Sequence, residues 1–67
     1  MSAIEVNGQP WDGPARTTVA ELVSVWCPSP KGIAVARNGE VVPRSGWEST
    51  VVSAGDRIEI VTAAAGG

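Results

Sequence analysis

Apolar residues recur along this chain with two periods, and the switch between them divides it into elements. Residues 1–6 alternate, with Ile4 and Val6 on one face and Ala3 and Glu5 on the other, which predicts a short half-buried strand. Asn7-Gly8 follows, a pair that tolerates the positive φ of a type I′ hairpin turn. The return strand is Gln9-Pro10-Trp11-Asp12. Pro10 has no N–H to give a neighbour, so this strand belongs at a sheet edge. Trp11 is read as a core or half-buried anchor, and residues 13–17 as a loop. The period then becomes helical: Val19, Leu22, Val23 and Trp26 fall at i, i+3, i+4 and i+7 and form one apolar stripe. Thr18 and Glu21 have the spacing of a capping box at the helix start. The helix runs to about Cys27 and is stopped by Pro28-Ser29-Pro30. Trp26 is expected in the core, and Cys27 is read as a small packing residue.

Beyond the prolines the period of two returns. Ile33 and Val35 mark the inner face of a strand over residues 33–37, with Arg37 on that face at the strand's end, where its head reaches water. Asn38-Gly39 is a second hairpin signal, Glu40-Val41-Val42 the return, and Pro43 its stop. Residues 44–48 read as a short helical turn, with Trp47 closing the core. Thr50-Val51-Val52 is extended, Ala54-Gly55-Asp56 a turn, and residues 57–62 a last strand with Ile58 and Ile60 facing inward. Two hairpins flanking one helix, then a final strand, make an α+β layer: one sheet with a helix on one face. Residues 1–62 are expected to form a single domain. Residues 63–67 are expected to be a flexible tail ending in Gly-Gly.

Composition narrows what such a domain does. With 67 residues, the core is small and there is no room for a deep substrate cleft. A net charge of −2 and a pI near 4.8 argue against nucleic acid and against an anionic membrane surface. A basic or apolar partner surface fits better. Cys27 is the sole cysteine, so no internal disulfide forms, which agrees with a reducing compartment. No segment has the pattern of a signal peptide or a membrane span, and the expected location is the cytoplasm.

A search for catalytic chemistry finds none. The chain has no histidine and no tyrosine, no metal-ligand spacing, no nucleophile beside a base and no phosphate-binding loop. Arg37, Arg44 and Arg57 are read as surface charges and pairs ahead of a binding face. The group that stands out is the carboxylate on Gly67. Ala63-Ala64-Ala65-Gly66-Gly67 carries almost no side-chain bulk and suits a narrow channel in another protein. A carboxylate is a poor electrophile until a partner attaches adenylate to it. Sulfide or an enzyme persulfide then displaces the adenylate and leaves a thiocarboxylate, a tethered sulfur donor. A domain with that task needs a slim tail and a docking surface, and no catalytic residue of its own.

The chain resembles the thiamine-pathway sulfur carrier proteins (ThiS), ubiquitin-like members of the β-grasp fold. The resemblance spans nearly its whole length. It is carried by Thr18-Val19-Ala20-Glu21-Leu22, by Ala34 to Arg44 with Trp47, by Gly55-Asp56-Arg57-Ile58-Glu59-Ile60, and by Gly66-Gly67. It implies a mixed four- to five-stranded sheet with one helix on one face, the last strand lying in the middle beside the first. It further implies that an ATP-using, E1-like adenylyltransferase of the ThiF type adenylates Gly67. A sulfur donor such as a cysteine desulfurase supplies sulfur, and a thiazole synthase of the ThiG type takes it for the thiazole of thiamine. No cofactor is bound by the carrier. Gly66 and Ala65 would present the end, with Val61 and Arg57 as candidate partner contacts and Ile60 assigned to strand packing. The alanine run at 63–65 departs from the larger apolar residue expected there. Two other readings stay open. One is a carrier for molybdopterin or cysteine synthesis, whose members tend to be longer. The other is a ubiquitin-like modifier or interaction module.

Overall fold

Two Asn-Gly pairs set the fold's outline. In the computed structural model, which describes residues 3–26 and 32–62, both adopt positive φ at both positions: Asn7 52° and Gly8 82°, Asn38 51° and Gly39 87°. This is the backbone a two-residue hairpin with the right twist requires. The first pair joins β1 (Glu5–Val6) to β2 (Gln9–Pro10), and the second joins β4 (Ile33–Arg37) to β5 (Glu40–Val42). The five-stranded sheet has the order β2-β1-β7-β4-β5, so β2 with Pro10 is an edge strand, as its missing N–H demands.

β7 (Arg57–Thr62) is the central strand. It runs parallel to β1, with Val6 opposite Ile58, and antiparallel to β4 from Ile33↔Thr62 to Arg37↔Ile58. The sheet is therefore mixed and five-stranded, and the last strand lies beside the first, as the family resemblance implied.

The single helix α1 (Val19–Trp26) lays Val19, Leu22 and Val23 on the sheet's inner face. There they join Ile4, Val6, Ile33, Val35, Trp47, Val52, Ile58 and Ile60 in one core. The start of α1 is closed off with no orphan donor in its first turn. Val19 N–H donates to the Thr50 carbonyl (3.0 Å) and Ala20 N–H to the Trp47 carbonyl (3.1 Å). The capping box does the rest: Glu21 N–H donates to Thr18 Oγ1 (3.1 Å) and Thr18 N–H to Glu21 Oε1 (3.3 Å). Trp47 closes the core as expected, 7% exposed, with its indole N–H donating to the Val42 carbonyl at 3.0 Å. It follows a single 3₁₀ turn over Arg44–Gly46.

Two expectations fail. Residues 16 and 17 are not loop but belong to a strand, β3 (Arg16–Thr18), paired antiparallel with β6 (Val51–Ser53) in a second, two-stranded sheet. Its inward residue is Thr17, whose hydroxyl is satisfied by Glu21 Oε1 (3.1 Å), so no apolar alternation betrays the strand. Trp26 is not core. It is 43% exposed, at the rim of a groove lined by Trp11, Val6, Pro10 and Val25. Helical periodicity fixes the azimuth of a residue, not whether the sheet extends beneath its turn.

Trp11 is half-buried against the core, and its indole N–H donates to the Pro14 carbonyl at 3.0 Å. Gly13 lies under that indole: a Cβ there would come within 2.4 Å of the ring. The expectations for Cys27, for the prolines at 28 and 30, and for the 63–67 tail lie outside the described residues.

Candidate functional site

β7 lies at the middle of the sheet, between β1 and β4. Alternation sends Ile58 and Ile60 into the core and Arg57, Glu59 and Val61 to the outer face. Ile58 is fully buried, while Val61 is 58% exposed. The assignment of Ile60 to packing therefore holds, and Val61 is a surface residue. Ala34 lies opposite Val61 and Ala36 opposite Glu59 on β4, with Val41 opposite Ala36 on β5. Val61, the two alanines and the exposed Val41 thus make an apolar strip across the outer face. Arg57 and Glu5, directly opposite one another, form an exposed ion pair at 3.4 Å beside it. Arg57 and Val61, the two candidate contacts, also line one shallow depression with Glu5, Asn7, Gly8 and Glu59.

Hydrogen bonds tie β7 down at both ends. At its start, Asn38 N–H donates to the Arg57 carbonyl (2.8 Å) and Arg57 N–H to Asn38 Oδ1 (2.9 Å). Asn38 Nδ2 donates to Asp56 Oδ1 (3.1 Å), while Asp56 Oδ2 accepts from the Ser53 N–H (3.0 Å) and from Arg37 Nε (3.2 Å). The Ser53 N–H, with the Asn38 amide and the Arg37 guanidinium, holds the Asp56 carboxyl below its usual range against the opposing pull of burial. Near the other end of β7, Asn7 N–H donates to the Ile58 carbonyl at 2.9 Å, and the Asn7 side chain holds both backbone polar groups of Ile60.

The three arginines do not converge. Arg37 is committed to Asp56, Arg57 to Glu5, and Arg44 stacks its guanidinium over the Trp47 ring at 4.7 Å. Among the described residues no group of His, Cys, Asp and Glu gathers to hold a metal, and no helix is long and apolar enough to cross a membrane. Gly67, Gly66 and Ala65, expected to present the reactive end, lie outside the described residues. Sequence reasoning missed the second role of the two asparagines. Its only signal was the polar residue itself, which the turn already explained.

A mixed sheet gripping one helix, with the C-terminal strand at its centre, is a β-grasp domain. The comparisons with known proteins agree. The ThiS family model matches residues 3–67, and the chain belongs to that family. A crystal structure of a thiamine biosynthesis protein (ThiS) from Geobacter metallireducens is similar over the whole of both chains, with 34% identity and a TM-score of 0.80. A solution structure of a thiamine biosynthesis protein from the same organism matches over the whole of this chain and 88% of its own, with 34% identity and a TM-score of 0.75. Among curated proteins, a thiazole synthase of Paramagnetospirillum magneticum is 36% identical over 62 residues, 92% of this chain. The chain spans about a fifth (19%) of the length of that relative.

Proposed function

We propose that this domain is a sulfur carrier for thiazole formation in thiamine biosynthesis, working in the cytoplasm, with the Gly67 carboxylate as its reactive group. The observation that carries the reading is the placement of β7. A strand held on both sides is a firm base for a narrow segment, and it runs directly into Ala63-Ala64-Ala65-Gly66-Gly67. Membership of the ThiS family and the likeness to thiamine biosynthesis proteins support the pathway. The match to part of a thiazole synthase supports a ThiG-type enzyme as the acceptor.

In this reading the carrier is a cosubstrate and not an enzyme. A ThiF-type adenylyltransferase brings the Gly67 carboxylate to ATP. A carboxylate oxygen attacks the α-phosphorus, pyrophosphate leaves, and the carbonyl becomes an activated acyl adenylate. Sulfide then attacks the carbonyl carbon and AMP departs, leaving the thiocarboxylate; a desulfurase persulfide attacking in its place leaves an acyl disulfide, which a thiol cleaves to release the thiocarboxylate. Gly66 and Ala65 keep the approach slim. The outer face around Val61, Ala34 and Val41 offers the partners an apolar surface, with Arg57 at its margin.

The test is deletion of Gly67. Tail residues add little to packing, so the shortened protein keeps its fold by circular dichroism and its unfolding midpoint. Reconstituted with the activating enzyme, ATP, a sulfur source and thiazole synthase, it should yield no thiazole. Thiazole formation at the wild-type rate would refute the reading.

A further inference from the structure

Asn7 does more than turn the chain. β1 has two residues, so its own ladder to β7 is short. In a parallel ladder the bonds recur at even spacing along the strands. Here Glu5 N–H donates to the Asp56 carbonyl (3.0 Å) and Asn7 N–H to the Ile58 carbonyl (2.9 Å). The next two bonds of that series would run from Ile60 N–H to the Asn7 carbonyl, and from the N–H of residue 9 to the Ile60 carbonyl. The turn at Asn7-Gly8 diverts the backbone before either forms. The Asn7 carboxamide supplies both instead. Its Oδ1 accepts from Ile60 N–H at 2.8 Å and its Nδ2 donates to the Ile60 carbonyl at 3.1 Å, across 53 positions of sequence. A primary amide carries one acceptor and one donor face, as a peptide group does, so it stands in for a strand residue that is not there.

The consequence concerns the end of β7. On one side Ile60 lies opposite Val35 of β4, and Val61 opposite Ala34. On the other, β1 has already ended, and the Asn7 side chain alone carries the ladder to Ile60. We infer that Asn7 is a positioning residue: its carboxamide holds the end of β7 at Ile60 in line with the sheet, and so sets the base from which the carrier's end is offered to a partner's active site. This rests on the carrier reading above. Without the clamp, the last residues of β7 sample more directions, and only a fraction of molecules is ready to seat. An equilibrium of that kind raises the apparent KM for the carrier and leaves kcat unchanged once it is seated.

Two substitutions separate the clamp from the turn. Asn7→Gly keeps the positive φ and removes both side-chain bonds. Asn7→Asp keeps an acceptor for Ile60 N–H and loses the donor. Val52→Ala, a fully buried change in the second sheet, is the control for global destabilisation. In amide hydrogen exchange, Ile60 of Asn7→Gly should exchange about tenfold faster, in excess of any change at Leu22 and Val23 of the helix. Asn7→Asp should be intermediate, and Val52→Ala should accelerate the helix and Ile60 amides together.

With the activating enzyme, ATP and sulfide, Asn7→Gly should raise the KM for the carrier by about threefold or more at unchanged kcat. Val52→Ala should not, at a temperature where both are folded. Ile60 exchange no faster than the helix amides would overturn the clamp. A KM equal to that of Val52→Ala would overturn its role in presentation. If wild-type protein itself gains no sulfur, the carrier reading falls and the presentation role with it, while the exchange data still decide whether the clamp exists.

Discussion

The molecule contains the same turn twice, and the two copies do different work. Asn7-Gly8 and Asn38-Gly39 share sequence and nearly identical φ, and in both the asparagine amide reaches across to β7. Asn38 grips the beginning of the strand at Arg57 and ties it to Asp56, a titratable group that Arg37 and the Ser53 N–H also hold. Asn7 grips the strand two residues before its end, at Ile60, with both faces of its amide and no ionisable partner. The first grip anchors a charged corner and the second holds the strand near its end. A hairpin signal in sequence thus marks where the chain reverses, and leaves unstated what the spare side-chain amide does afterwards.

The largest effect should come from removing what lies between the two grips. Ile58 is fully buried, opposite Val6 on one side and Arg37 on the other. Ile58→Ala should cost about 2–5 kcal/mol. A domain of this size holds on the order of 3–10 kcal/mol in total, so both grips should be lost together in a denaturant titration.

Asn38→Gly comes next. It keeps the turn and removes the bonds to Arg57 N–H and to Asp56, at a cost of about 1–2 kcal/mol. It also distinguishes the corners by pH. The Asp56 carboxyl titrates lower folded than unfolded, so its contribution is present above the unfolded value of about 4 and is lost as pH falls through the folded one. Stability measured from pH 6 downward should show that acid loss in wild type and in Asn7→Gly. It should be smaller in Asn38→Gly, where Asp56 has lost one of its three partners. An equal acid loss in both asparagine variants would remove the distinction.

The smallest effect belongs to Arg57→Ala. The pair with Glu5 is exposed, with side chains 70% and 46% accessible, so the change should stay within about 0.5 kcal/mol by chemical denaturation. Any larger effect of Arg57→Ala on sulfur loading would then belong to the partner interface.

Much of this was legible in the sequence because it is written in local chemistry. Pro10 identified an edge, Thr18 and Glu21 a helix start, the Asn-Gly pairs two hairpins, and the alternation of Ile58 and Ile60 the buried face of the last strand. What escaped depends on distant partners. β3 became a strand because Val51–Ser53 lies beside it, and its buried residue is a threonine. Trp26 has the right azimuth for the core, but its turn of helix sits at the rim of a groove. The central place of β7 beside β1 came from the family resemblance, since no local pattern encodes strand order, and its second neighbour β4 came from the structure. Val61 and Arg57, the candidate partner contacts, do share one outer face. Asn7 was passed over, because a turn was explanation enough.

The proposed function stands on the carboxylate of Gly67 as the reactive group of this domain. Intact-mass analysis tests it most directly, after incubation of the protein with ATP, a ThiF-type adenylyltransferase and a sulfur source. The expected result is a mass gain equal to one oxygen replaced by sulfur, dependent on ATP and localised by fragmentation to Gly67. An unchanged mass with an active enzyme, or sulfur found on Cys27 in place of Gly67, would contradict it.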